Sequence, residues 1–220
     1  MSTRPLEDLQ TRSVLRRREI LDAALACFTD KGVEASAIED ICSGAGASVS
    51  SVYHLFGNKA GVAAALYLDS LAAFQAYVCK PLKPTLGAKD GVLAFVAAHI
   101  QWADKNKARA SYLQAARHTG SVAAHAEDIR ALNRAFFESI AGWARPHIAS
   151  GQLRALPADL FMAQLLGPTH EYVRGRLAGR ASAPLKLAMQ TLGESAWRAL
   201  GNADTKEELN GQRGKQDHGQ

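Results

Sequence analysis

The chain has 220 residues, enough for one large domain or two small ones around a real core, and its 47% hydrophobic content is ordinary for a globular protein. Charges interrupt the apolar runs, so no membrane span is expected. The N-terminal MSTRPLEDLQTRSVLRRREIL has no apolar signal-peptide core, and a cytoplasmic protein is expected. The formal net charge of +5 suggests a polyanionic partner.

That charge is unevenly spread. Residues 1–61 carry seven Lys/Arg against eight Asp/Glu, residues 62–200 sixteen against nine, and residues 201–220 three against four. Cys27, Cys42 and Cys79 are too far apart for a zinc spacing and too few for a disulfide framework, so buried reduced thiols are expected, with no metal and no cofactor.

Apolar residues recur at three- and four-residue intervals throughout, alternating patterns are missing, and the fold class is all-α. Residues 1–12, polar and with an early Pro5, read as a flexible arm. A first helix is expected from Ser13 to Lys31, with Ile20, Ala24 and Phe28 on one face and Gly32 as its stop. Ser36, with Glu39 three residues on, reads as a capping box opening a short second helix whose buried stripe is Ile38, Ile41 and Ala45. Gly46 supplies the left-handed residue that ends it. Ser48 then caps a third helix to about Phe56, giving two short helices around a glycine-containing turn, the pattern of a helix-turn-helix. Asn58 is placed to cap a fourth helix through KAGVAAALYLDSLAAFQAYV, and KPLKPTLG reads as a linker.

Five further helices are expected near 88–104, 107–118, 122–149, 157–179 and 182–200, with kinks or breaks at Pro146 and Pro168. Residues 201–220 read as a disordered tail.

In a helix-turn-helix the second helix enters the major groove with its N-terminal residues toward the bases. Val52, Leu55 and Phe56 are spaced to face inward, leaving Ser48, Val49, Ser50, Ser51, Tyr53 and His54 outward. Small residues permit close approach, hydroxyls can donate to phosphate oxygens, and Lys59 at the next helix start suits a phosphate clamp. Arg16, Arg17 and Arg18 are within reach of flanking phosphates or the minor groove, or form a solvated helix start.

Residues 13 to about 62 resemble the DNA-binding domain of the TetR family of bacterial regulators. The resemblance rests on REILDAALACFTDKG, SAIEDICSGAGASVSSVYHLF and NKAGV, with Phe28, Gly32, Ser36, Ile41, Ala45, Gly46, Ser48, Tyr53, Phe56 and Lys59 in register. It covers about a quarter of the chain. Val49 departs from a frequent polar reader, Leu55 from a usual His or Tyr, and Ser50 from a frequent Gly or Pro. Val49 is suited to a thymine methyl.

The resemblance implies an N-terminal three-helix DNA-binding domain at 13–61 and a helical ligand-binding and dimerisation bundle at 62–200. The implied DNA face comprises Ser36, Ala37, Ser48, Val49, Ser50, Ser51, Tyr53, His54 and Lys59. The implied partners are a double-stranded palindromic operator, a second copy of the chain and a small-molecule effector, with no membrane. Helix faces with Ala163, Gly167, His170 and Arg174, and with Leu185, Met189, Leu192, Ala196 and Ala199, suit a four-helix dimer interface. Trp102, Tyr112, Phe136, Phe137, Trp143, Phe161, His170 and Tyr172 are the candidate effector residues; core packing is the alternative for each. No metalloprotease, nucleophile-elbow, P-loop or dinucleotide motif is present, which argues against an enzyme. A constitutive DNA-binding protein without effector is the second reading.

Overall fold

The structure, a computed structural model, describes residues 6–202; the expectations for residues 1–5 and 203–220 lie outside it. Among the described residues ten helices follow in chain order: α1 Leu6–Ala35, α2 Ile38–Ala45, α3 Val49–Phe56, α4 Lys59–Cys79, α5 Ala88–Lys105, α6 Lys107–Ala116, α7 Gly120–Ala123, α8 Ala126–Ala149, α9 Ala158–Leu177 and α10 Leu185–Leu200. Among the described residues the only β pairing is a single bridge, Leu153 to Gly201.

Three local expectations need correction. Helix α1 begins at Leu6, seven residues before the expected Ser13, and so takes in much of the expected arm. Gly32 interrupts α1 rather than ending it, with φ 79° and ψ 163°, after which helical backbone resumes to Ala35. The expected helix at 122–149 is two, with a break at Ala124 and His125.

Pro146 and Pro168 both lie inside α8 and α9 without breaking them. Each proline is exposed, as are Gly142 and Gln164, whose carbonyls lose their helical donor. Water can replace that donor on a solvent-facing side, so the cost is too small to end the helix.

The chain packs as two units. The first contains residues up to Ala73 together with Asn106–Leu132. Its core combines Ile20, Ala24 and Phe28 of α1, Ile41 of α2, Val52 of α3, Val62 and Leu66 of α4, and Tyr112 of α6. Phe28 and Tyr112 stack with ring centroids 5.9 Å apart, and the Tyr112 hydroxyl donates to the Ala63 carbonyl at 2.8 Å. Burial pushes the Tyr112 phenol far above its ordinary range. The Arg109 guanidinium, mostly buried on α6, binds Asp22 of α1 at 3.1 Å and Asp69 of α4. Packing therefore draws the division differently from a boundary at residue 61. Most of α4, and α6 and α7, complete the core that α1–α3 begin.

Helix α4 is, by length and composition alone, apolar enough to cross a membrane, contrary to the sequence expectation. Its one interior charge, Asp69, is too little to disqualify it on that test, but the apolar residues Val62, Ala63, Leu66 and Val78 are buried inside the protein.

The second unit contains Phe74–Lys105 and the residues from Asn133 onward. Here α5 packs against α9 and α10. Glycines set the closest approaches: a Cβ on Gly91 would meet the Trp143 ring at 2.1 Å, and one on Gly193 would meet Leu93 at 2.7 Å. Of the cysteines, Cys42 is buried while Cys27 and Cys79 are half-buried. Burial raises the Cys79 thiol to about 11, which keeps it protonated and unreactive.

Candidate functional site: a reading head and an aromatic cluster

Helices α2 and α3 are joined by Gly46, Ala47 and Ser48. Gly46 takes the left-handed conformation (φ 56°, ψ 35°), and the Ala47 N–H donates to the Cys42 carbonyl at 3.0 Å, closing the end of α2. Ser48 caps α3: its hydroxyl accepts the Ser51 N–H at 3.1 Å. The Ser48 hydroxyl also lies 3.0 Å from that of Ser50 and 2.8 Å from that of Ser51, so three hydroxyls cluster at the N-terminus of α3.

The faces of α3 divide as its spacing predicts. Val52 is fully buried, and Leu55 and Phe56 are half-buried. Val49, Ser50, Tyr53 and His54 are exposed, Tyr53 by 51%, while Ser51 is half-buried. An exposed tyrosine beside an exposed valine at a helix start is a surface that can meet another molecule rather than a core. Ala37 is exposed at the start of α2.

Other candidate contacts face the head itself. Ser36 does not cap α2. It is buried, and its hydroxyl donates to the Gly32 carbonyl at 2.7 Å and the Cys27 carbonyl at 3.3 Å. The cap position belongs to Ala37, whose N–H is accepted by Asp40 at 3.3 Å, one residue beyond the expected Glu39. The interruption at Gly32 leaves α1 carbonyls without helical donors, and the Ser36 hydroxyl turns inward to fill one of them. Lys31 binds Asp40 at 3.1 Å and holds that carboxyl below its usual range.

Lys59 Nζ donates to the carbonyls of Glu34 at 2.8 Å and Ser36 at 2.9 Å. Arg16 donates to the carbonyls of Ala45 and Gly46, both at 3.2 Å, and Arg17 lies over the Phe56 ring at 4.8 Å. Arg18 stays exposed, 4.0 Å from Asp22. Three basic side chains read as phosphate ligands thus tie α2, α3 and the α1–α2 link together.

Two residues carry the head's geometry without having been singled out. A Cβ on Gly61 would lie 1.9 Å from the Phe56 carbonyl oxygen, and one on Gly44 would lie 3.2 Å from the Ala23 Cβ. Their signal was a glycine inside a helical pattern, which marks close approach but not its partner.

In the second unit, the candidate effector residues separate. Phe74 meets His99 at 4.8 Å, Trp102 at 5.2 Å, Phe136 at 6.5 Å and His170 at 6.5 Å between ring centroids. Trp102, Phe136, Trp143 and Phe161 are buried, whereas Phe137 is 45% exposed beside Phe136. Trp143 packs on Gly91 and beside His147. The Tyr172 hydroxyl donates to the Ala183 carbonyl at 3.1 Å. Tyr112 belongs to the core of the first unit, with its hydroxyl used there, and so leaves the effector set.

Sequence reasoning missed Phe74 and His99. His99 sits in an apolar helical pattern that gives it no motif, yet it is buried, with its imidazole held well below the ordinary range by burial and then by His170.

Two helices around a three-residue turn, with a capped and solvent-facing second helix, define the class as helix-turn-helix. Residues 20–66 match the family model for bacterial regulatory proteins of the tetR family. The chain has the all-helical fold of TetR-family transcription regulators. A regulator from Marinobacter aquaeolei superposes with a TM-score of 0.73 at 16% identity, covering 88% of this chain and 99% of that one. PfmR from Thermus thermophilus gives 0.66 at 22% identity, over 81% and 97% of the two chains. FadR from Bacillus subtilis, solved with stearoyl-CoA, gives 0.72 at 18% identity, over 83% and 98%. No curated protein matches the chain.

Proposed function

We propose that the protein is a cytoplasmic, homodimeric transcriptional repressor that binds a palindromic operator through α3 and releases it when a small molecule occupies the second unit. The observation that carries the reading is the exposed surface of Val49, Ser50, Tyr53 and His54 on a helix whose opposite face is buried. Hydroxyls and backbone N–H groups at the N-terminus of α3 suit phosphate, and Val49 suits a thymine methyl. Ala37 adds an exposed backbone position at the start of α2, where a helix N-terminus also favours phosphate.

A dimer supplies the two heads that a palindrome requires. The exposed side of α9, with Leu160, Ala163, Gly167 and His170, and Leu187 on α10 support pairing there. The aromatic residues around Phe74 support an effector with an apolar part, and FadR, solved with stearoyl-CoA, is a precedent in this fold for a bound molecule that carries a long apolar chain. A ligand that binds the non-operator conformation better shifts the population away from DNA; a tenfold loss of affinity needs about 1.4 kcal/mol of coupling.

Selection of bound sequences from random duplex DNA tests the reading. Recovery of one palindromic site, lost on Tyr53→Ala with the fold intact, supports it. Recovery of no preferred sequence removes it. A site whose affinity no stabilising compound changes leaves a constitutive DNA-binding protein.

A further inference from the structure

We propose that His99 selects the effector: its Nδ1 takes the one hydroxyl or carbonyl group of an otherwise apolar, ring-bearing molecule seated against Phe74 and Trp102. The proposal rests on reading the second unit as the effector-binding one.

His99 lies on α5 and is only 3% exposed, and its Nδ1 is buried without a hydrogen-bond partner. Buried polar side-chain atoms almost always have a partner, so an orphan marks a place where one is missing. Its surroundings describe that partner. The Phe74 ring meets the imidazole edge-on at 4.8 Å, and Phe74 in turn meets Trp102 at 5.2 Å. A molecule bonding Nδ1 therefore rests against aromatic rings, which favour apolar and flat groups.

The head group follows from the charge state. The imidazole is neutral at pH 7, because burial and then His170 disfavour its protonation. A neutral imidazole offers one donor and one acceptor, and either tautomer can present Nδ1 to a hydroxyl; the Nδ1–H tautomer also serves a carbonyl. A carboxylate would bring an unpaired charge into the cluster. The basic excess of residues 62–200 is therefore no argument for an acidic group at this site.

His170 forms the outer wall of the site. It is exposed, and its ring lies edge-on to His99 at 4.6 Å, so it is the solvent-side neighbour of a buried residue.

The test uses the full chain with three probes of one shape: 1-naphthol, naphthalene and 1-naphthoate. Binding is read by tryptophan fluorescence, and the His99 ring by ¹⁵N NMR of histidine-labelled protein. 1-Naphthol is expected to bind about tenfold tighter than naphthalene, the worth of one hydrogen bond in an apolar site, and to move the His99 nitrogen signals. Naphthalene is expected to leave those signals in place. His99→Phe should equalise the two probes, and His99→Asn should restore a preference for 1-naphthol. Equal binding by the wild type, no binding by any probe, a preference for 1-naphthoate, or a preference unchanged in His99→Phe overturns the proposal. If His99→Phe does not fold, the wild-type NMR response decides. A His99-dependent preference that leaves operator affinity untouched keeps this site and removes the effector role proposed above. Operator release by compounds that ignore His99 does the reverse.

Discussion

The ammonium of Lys59 donates to the carbonyl oxygen of Ser36 at 2.9 Å, so the first residue of α4 holds the link between α1 and α2. A second bond, to the Glu34 carbonyl, uses another of its three donors. Lys59→Ala should therefore act on stability first. The loss expected is about 1–2 kcal/mol, discounted for partial exposure. In a chain of this size each kcal/mol is worth roughly 2–4 °C of Tm. The salt slope of operator binding should fall by less than the single unit expected for a lost phosphate contact. Thermal unfolding and a salt titration check both; an unchanged Tm with a full-unit fall would falsify the structural role.

Glycine substitutions separate close approach from mere flexibility. Gly61→Ala must move the Phe56 carbonyl, since the new Cβ would sit 1.9 Å from that backbone oxygen. The last turn of α3 would shift, and both Tm and operator affinity should fall. Gly142 is a helical glycine with nothing within 4 Å of a built Cβ. Gly142→Ala should raise stability by about 0.5–1 kcal/mol, through helix propensity. Opposite signs in paired melting curves are the expected result; equal effects would mean that the α3–α4 junction has slack.

What the sequence made legible was periodic. The inward set Val52, Leu55 and Phe56, the cap Ser48 and the left-handed Gly46 follow from spacing and backbone sterics, and the structure agrees with them. What it hid was direction. A serine before a helix caps it or turns inward, and Ser36 turns inward because the interruption at Gly32 leaves α1 carbonyls to fill. A basic residue near a DNA face binds phosphate or the protein, and Arg16, Arg17 and Lys59 bind the protein. Position in the chain groups Tyr112 with the effector residues, whereas packing sets it against Phe28, 84 positions earlier. Long-range partners of that kind have no periodic trace.

His99 makes stability depend on pH. Its folded pKa is below the ordinary value near 6.5, by burial first and by the facing His170 of α9 second. Its contribution is thus fully present above about pH 6.5, where both states are neutral. As pH falls below that, the unfolded chain takes up a proton that the native imidazole refuses. Stability should fall by about 1.4 kcal/mol per pH unit until the folded pKa is reached. Urea unfolding from pH 7.5 to 5, with His99→Phe as comparison, isolates the effect: the variant should lose that slope if it folds. An identical slope in both would mean that another group carries it.

Leu160 on α9 and Leu187 on α10 are 52% and 54% exposed, and Ala163 and Gly167 are exposed on the same helix as Leu160. Large apolar side chains in water beside small residues suit close helix packing against a second copy, which would bury them. In an isologous pair each residue is lost twice per dimer, so one substitution counts double. Leu187→Glu should place a charge on each side of the interface, and Leu160→Glu should do the same from α9. Both residues are better probes than Leu192, which is half-buried in its own chain and would confound folding with assembly. The wild type is expected to be a dimer by light scattering, and the double variant a folded monomer with unchanged helical content. Operator affinity should then drop by orders of magnitude, because one head grips one half-site and the effective concentration of the second is lost. A dimeric double variant would move the interface off α9 and α10. A monomeric wild type that still binds a palindrome tightly would remove pairing in solution from the proposed mechanism.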